Sequence, residues 1–159
     1  MKFIIGVDPG ASGAVAILNA DTKELIQVFD MPSVELSVSG KAKRRVSPEL
    51  LAAELRMYAE DVRCAFVEQV SAMPGQGVSS MFAFGQAFGI VLGVMAGLGI
   101  PVVTVPPVKW KRDTGLNSGK DASRQKACSA FPLHAKEFAR VRDDGRAESV
   151  LIALWGIDQ

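Results

Sequence analysis

The chain has 159 residues, of which 48% are hydrophobic and 22% charged, with a formal net charge of +1. This suits one globular domain over 1–159 with a single core, and it excludes a disordered chain and a bulk-charge nucleic-acid binder. Two cysteines, Cys64 and Cys128, and one histidine, His134, exclude a disulfide framework and Cys/His transition-metal chemistry.

Residues 2–8 read as a buried strand ending in a carboxylate, Asp8. The apolar start resembles a secretory signal, but Asp8 and Pro9 interrupt it too early, so a cytoplasmic location is the expectation. Pro9 to Gly13 form a tight turn, Ala14 to Leu18 a second strand and Leu25 to Asp30 a third, an antiparallel start. Ser33 to Ser47 is polar and carries Lys41, Lys43, Arg44 and Arg45; it is expected to be a mobile loop. Ser47 is an N-cap with Pro48 at the first helical position, and the apolar spacing predicts a helix over 48–61.

Cys64 to Val67 form a short buried strand that again ends in a carboxylate, Glu68. A loop over Met73 to Val78 precedes an apolar segment, Ser79 to Leu98, with Gly85, Gly89, Gly93 and Gly97 at a spacing of four. A membrane span is the lesser reading; a central helix whose glycine stripe admits a close neighbour is preferred, with no membrane partner. Pro101 to Val105 look like a strand. A basic stretch follows, with Lys109, Lys111, Arg112, Lys120, Arg124 and Lys126. A helix over 121–130 and a last apolar helix, opened by Asp143 to Glu148, complete the chain.

Asp8, Glu68, Asp144 and Glu148 share a placement at the ends of core elements, where a carboxylate is costly unless something positive compensates it. Asp144 and Glu148 stand one helical turn apart and can face one point. Converging carboxylates suit a hard cation such as Mg²⁺. Each acid also has a plainer reading. Asp8-Pro9-Gly10 is good turn chemistry, and acids favour a helix N-terminus. The combined placement argues for chemistry.

In this order, Val7-Asp8-Pro9-Gly10-Ala11-Ser12-Gly13, Val67-Glu68-Gln69-Val70 and Asp144-Gly145-Arg146-Ala147-Glu148-Ser149 resemble the acidic motifs of RuvC-like Holliday junction resolvases, phage-type members included. The likeness spans nearly the whole chain. It implies an α/β, ribonuclease H-like fold: a central mixed five-stranded sheet, its first three strands antiparallel, flanked by helices. It implies a homodimer that nicks four-way DNA symmetrically, using two Mg²⁺ ions (or Mn²⁺) per site when substrate is bound, and no small-molecule cofactor. Asp8, Glu68, Asp144 and Glu148 would be the ligands, with Asp143 an alternative to Asp144, and Lys120 would stand near the scissile phosphate.

Lys41, Lys43, Arg44, Arg45, Lys109, Lys111, Arg112, Arg124 and Lys126 would meet DNA phosphates, or else form a solvated face. Trp110 would stack on a base or, as such residues more often do, anchor a loop to the core. The rival readings are a nuclease of the same fold acting on RNA or other branched DNA, a non-catalytic junction binder, and an actin-like ATPase. The last needs a second phosphate hairpin, and only one is visible.

Overall fold

The computed structural model describes residues 1–119 and 121–159, so the expectation for Lys120 lies outside the described residues. Strands β1 (Phe3–Asp8), β2 (Ala14–Asn19) and β3 (Leu25–Asp30) form the antiparallel meander expected. Strand β6 (Val62–Glu68) pairs parallel to β1, and β7 (Val102–Val105) parallel to β6. The sheet order is β3-β2-β1-β6-β7, a mixed five-stranded sheet.

Alternation along these strands feeds two cores, one on each face. Ile4, Ala16, Leu18 and Phe66 pack with helices α4 (Ala122–Ala130) and α5 (Asp144–Ile157). Ile5, Val7, Val15, Ile17, Ala65 and Val67 pack with α1 (Pro48–Arg56) and α2 (Val78–Gly97). Helix α5 is buried along most of its length and runs directly over β1. Gly6 makes this possible. A Cβ there would fall inside van der Waals contact of the Ser149 carbonyl oxygen and the Ala153 nitrogen.

The structure departs from these expectations, or adds to them, at four points. Residues 33–46 are a hairpin, not a loop: β4 (Ser33–Val38) pairs with β5 (Lys41–Val46) across a two-residue turn. Ser39 and Gly40 take φ of 52° and 73°, the left-handed conformation that such a turn needs. Helix α1 ends at Arg56, followed by one 3₁₀ turn at Ala59–Asp61, although Ser47 does cap it by accepting from the Leu50 amide. A seven-residue helix, α3 (Pro107–Asp113), stands in the basic stretch.

Helix α2 buries only a line of Ala87, Val91 and Met95. Among the described residues its glycines have no close neighbour: a Cβ at Gly85, Gly89, Gly93 or Gly97 would meet nothing within 4 Å. It is long and apolar enough to cross a membrane by length and composition, yet its inner face packs against the sheet.

Candidate active site

Parallel pairing of β1 with β6, in the register Val7↔Val67, delivers Asp8 and Glu68 side by side at the carboxyl ends of adjacent strands. The turn after Asp8 is tight: the Gly13 amide donates to the Gly10 carbonyl at 2.8 Å. A Cβ on Gly13 would collide with the Asp8 carbonyl oxygen, and one on Gly145 would press on Gly13. These two glycines let the first turn of α5 sit on the turn, where Asp144 and Glu148 join Asp8 around a cavity of about 490 Å³. Lys111, Asn117 and Ser123 also line it.

Asp8 carries the strongest electrostatic signature. Burial, then the charges of Glu148 and Glu68, raise its pKa from 3.8 to about 7. Burial also pushes the Glu68 carboxyl up, against a hydrogen bond from Trp110 that pulls it down. Trp110 is fully buried on α3 and donates its indole N–H to Glu68 Oε2 at 2.6 Å. The adjacent Lys111 reaches the same cluster, with Nζ 2.9 Å from Glu148 Oε1. Burial works against its ammonium, yet the bond to Glu148 and the fields of Glu148, Glu68 and Asp8 hold its pKa above the ordinary value.

Asp8, Glu68 and Glu148 are therefore brought together. Asp144 borders the cavity but is half-exposed and paired with Arg124 at 3.0 Å. Asp143 is the buried alternative, and it is occupied elsewhere: its carboxylate accepts from the Arg140 backbone amide at 2.8 Å and pairs with the Arg140 guanidinium. Among the described residues, no three His, Cys, Asp or Glu side chains are drawn tightly enough to form a ready-made cage. Like charges hold one another apart, while Lys111, Trp110 and Arg124 each retain one acid. The donors are all hard carboxyl oxygens, and the crowding of Asp8 by Glu148 and Glu68 is the kind a divalent cation relieves.

The basic residues divide by location. Lys41, Lys43, Arg44 and Arg45 lie on β5, exposed. Lys43, Arg44 and Arg45 border a groove of about 850 Å³ that continues past Gly10, Ala11 and Ser12 to the first turns of α2. In the second basic segment the side chains have partners within the chain. Lys109 and Arg112 pair with Asp113, Arg124 pairs with Asp121 and Asp144, and Lys126 donates to the Thr114 carbonyl. Trp110 anchors α3 to the core and its face is not offered to a base. Sequence reasoning missed Trp110 and Lys111 as partners of the acids; the available signal was Pro106-Pro107 opening a helix that carries both.

No protein-family model matches the chain. A search of curated proteins finds the chloroplastic Holliday junction resolvase MOC1 of Chlamydomonas reinhardtii, 34% identical over 94 residues, 58% of this chain and 11% of that protein. It also finds the crossover junction endodeoxyribonuclease RuvC of Roseiflexus sp. (strain RS-1), 27% identical over 150 residues, 94% of this chain and 87% of that one. The chain thus spans about a tenth of the algal relative and most of the bacterial one.

Among solved structures, Thermus thermophilus RuvC in complex with a Holliday junction substrate superposes with a TM-score of 0.59 at 16% identity, covering 98% of this chain and 92% of that one. A second Thermus thermophilus RuvC structure gives 0.54 at 17% identity, covering 96% and 92%. In its ordered acidic motifs and along most of its length the chain is similar to these RuvC proteins, and its mixed five-stranded sheet gives it their ribonuclease H-like fold.

Proposed function

We propose that this chain is a Holliday junction resolvase, a divalent-metal-dependent endonuclease that nicks four-way DNA junctions symmetrically as a homodimer. The observation that carries the reading is the meeting of Asp8, Glu68 and Glu148 at the carboxyl ends of two parallel strands, beside a cavity open to Asp144. Asp8, the most buried of these acids and the one that feels both glutamates, is the central ligand. Glu68 and Glu148 complete the set, and Asp144 joins once it leaves Arg124.

Asp8, Glu68, Glu148 and Asp144 would hold divalent cations, which would supply Lewis-acid chemistry for phosphodiester hydrolysis. The protein's part is to fix the carboxylates on rigid elements and to supply positive charge for the phosphate. Lys111 stays ionised among the acids and is placed to meet a phosphate oxygen held in the cavity. The exposed cations of β5 track the DNA backbone toward the site, a sequence-independent and salt-dependent contribution.

The dimer rests on α2. Its outer face is apolar and striped with glycines that none of the described residues covers. Two copies packed through it about a two-fold axis would present two sites to opposed strands.

The decisive experiment is binding of labelled four-way junction in Ca²⁺, followed by addition of Mg²⁺ or Mn²⁺. Symmetric nicks are expected. Asp8→Asn should abolish cleavage and leave junction binding nearly intact, because it removes a cation ligand and no phosphate contact. Binding without any cutting by the unaltered protein would instead indicate a junction-binding scaffold.

A further inference from the structure

Glu68 and Glu148 are held from the same short helix in different ways. Lys111 gives Glu148 a full positive charge at 2.9 Å, whereas Trp110 gives Glu68 a neutral N–H at 2.6 Å. The indole is donor-only and does not titrate. It therefore stabilises the ionised carboxylate without cancelling the charge that attracts a cation. It also occupies one oxygen, Oε2, while Oε1 accepts no hydrogen bond among the described residues.

The donor's mounting is rigid. Trp110 is fully buried, and the end of α3 is tied to α5 by the Trp155 indole, which donates to Asp113 at 3.1 Å. Lys109 adds to this tie, lying 5.3 Å from the Trp155 ring centre while pairing with Asp113.

We infer that Trp110 is a positioning residue for the metal centre: its indole N–H fixes the orientation of Glu68, so that Oε1 faces the divalent cation. This rests on the metal-dependent reading above and deepens it. Outer hydrogen bonds of this kind orient a ligand and raise affinity for the ion, and their loss typically costs about 10–100-fold.

The chain contains two tryptophans, so its two indole N–H signals form a reporter and a reference in ¹H–¹⁵N spectra of the uniformly labelled protein. Assignment uses Trp155→Phe. Titration with Mg²⁺ alone should move the Trp110 indole resonance in step with calorimetric binding, while Trp155, bonded to Asp113, stays in place. Trp110→Phe, which keeps the ring and removes the donor, should weaken Mg²⁺ binding by calorimetry about 10–100-fold.

Mg²⁺ binding with a stationary Trp110 signal, or a folded Trp110→Phe protein of unchanged affinity, would overturn this inference and leave the proposed function standing. If the phenylalanine variant does not fold, the titration of the unaltered protein decides. No Mg²⁺ binding by that protein would overturn both.

Discussion

At Asp8, a buried carboxyl with two glutamates for neighbours holds its proton up to about pH 7. Under the proposed function, a proton and a divalent cation would compete for the same oxygens. Mg²⁺ affinity should fall as pH is lowered through about 7, and each further unit removes about tenfold of the ionised form. Calorimetric titrations between pH 5.5 and 8, roughly bracketing that pKa, would test it, and a flat affinity would disprove it. In the cation-free protein the folded state retains the Asp8 proton more strongly than the unfolded chain does. Stability should therefore decline as pH rises from the ordinary value of 3.8 toward about 7, and Asp8→Asn should flatten that slope.

Individual residues were unevenly legible. Asp8, Glu68 and Glu148 could be picked out because a carboxylate closing an apolar run is conspicuous. The choice between Asp143 and Asp144 could not be made from spacing, since it depends on Arg140 turning back to pair with Asp143. Trp110 was equally hidden: its bond to Glu68 spans 42 residues and exists only after β6, β7 and α3 are assembled.

At the scale of elements, the closest fit in the molecule is that of α5 over β1. Gly6→Ala would drive a methyl group into the backbone of Ser149 and Ala153. Overpacking typically costs about 1–3 kcal/mol, and here the obstacle is backbone rather than a movable side chain, so the loss should reach or exceed the upper end. Denaturant titration measures it; an unchanged midpoint would show that α5 can shift without penalty.

Strands β1, β2 and β6 and the last helix could be read because each buries a continuous apolar run, and β3 and β7 because β-branched and aromatic residues dominate them. The β4–β5 hairpin could not. Its second strand, Lys-Ala-Lys-Arg-Arg-Val, carries a cation at four of its six positions, and the Ser39-Gly40 turn is a weaker signal than Asn-Gly. Its alternating partner strand, Ser-Val-Glu-Leu-Ser-Val, was the overlooked clue. Helix α3 is only seven residues long, too short to display a helical period.

For the whole molecule, the open question is what covers α2. Gly89 has nothing within 4 Å of a Cβ placed on it, so Gly89→Arg should leave the monomer fold and its thermal transition unchanged. In a dimer built on this face the arginine would be buried without a partner, which is strongly unfavourable. Sedimentation equilibrium should show dimer for the unaltered protein and monomer for the variant. A variant that still sediments as a dimer would move the interface elsewhere.

The crossing of α5 over β1 also bears on how such a protein can change. Asp8 ends the strand and Glu148 lies in the opening turns of the helix, so the acids are mounted on the two most tightly locked members of the architecture. Their spacing cannot loosen while the scaffold persists, and heat should extinguish chemistry and structure in a single transition. New substrate preferences would then have to arise at the periphery, in the β4–β5 hairpin, where replacement leaves that lock untouched.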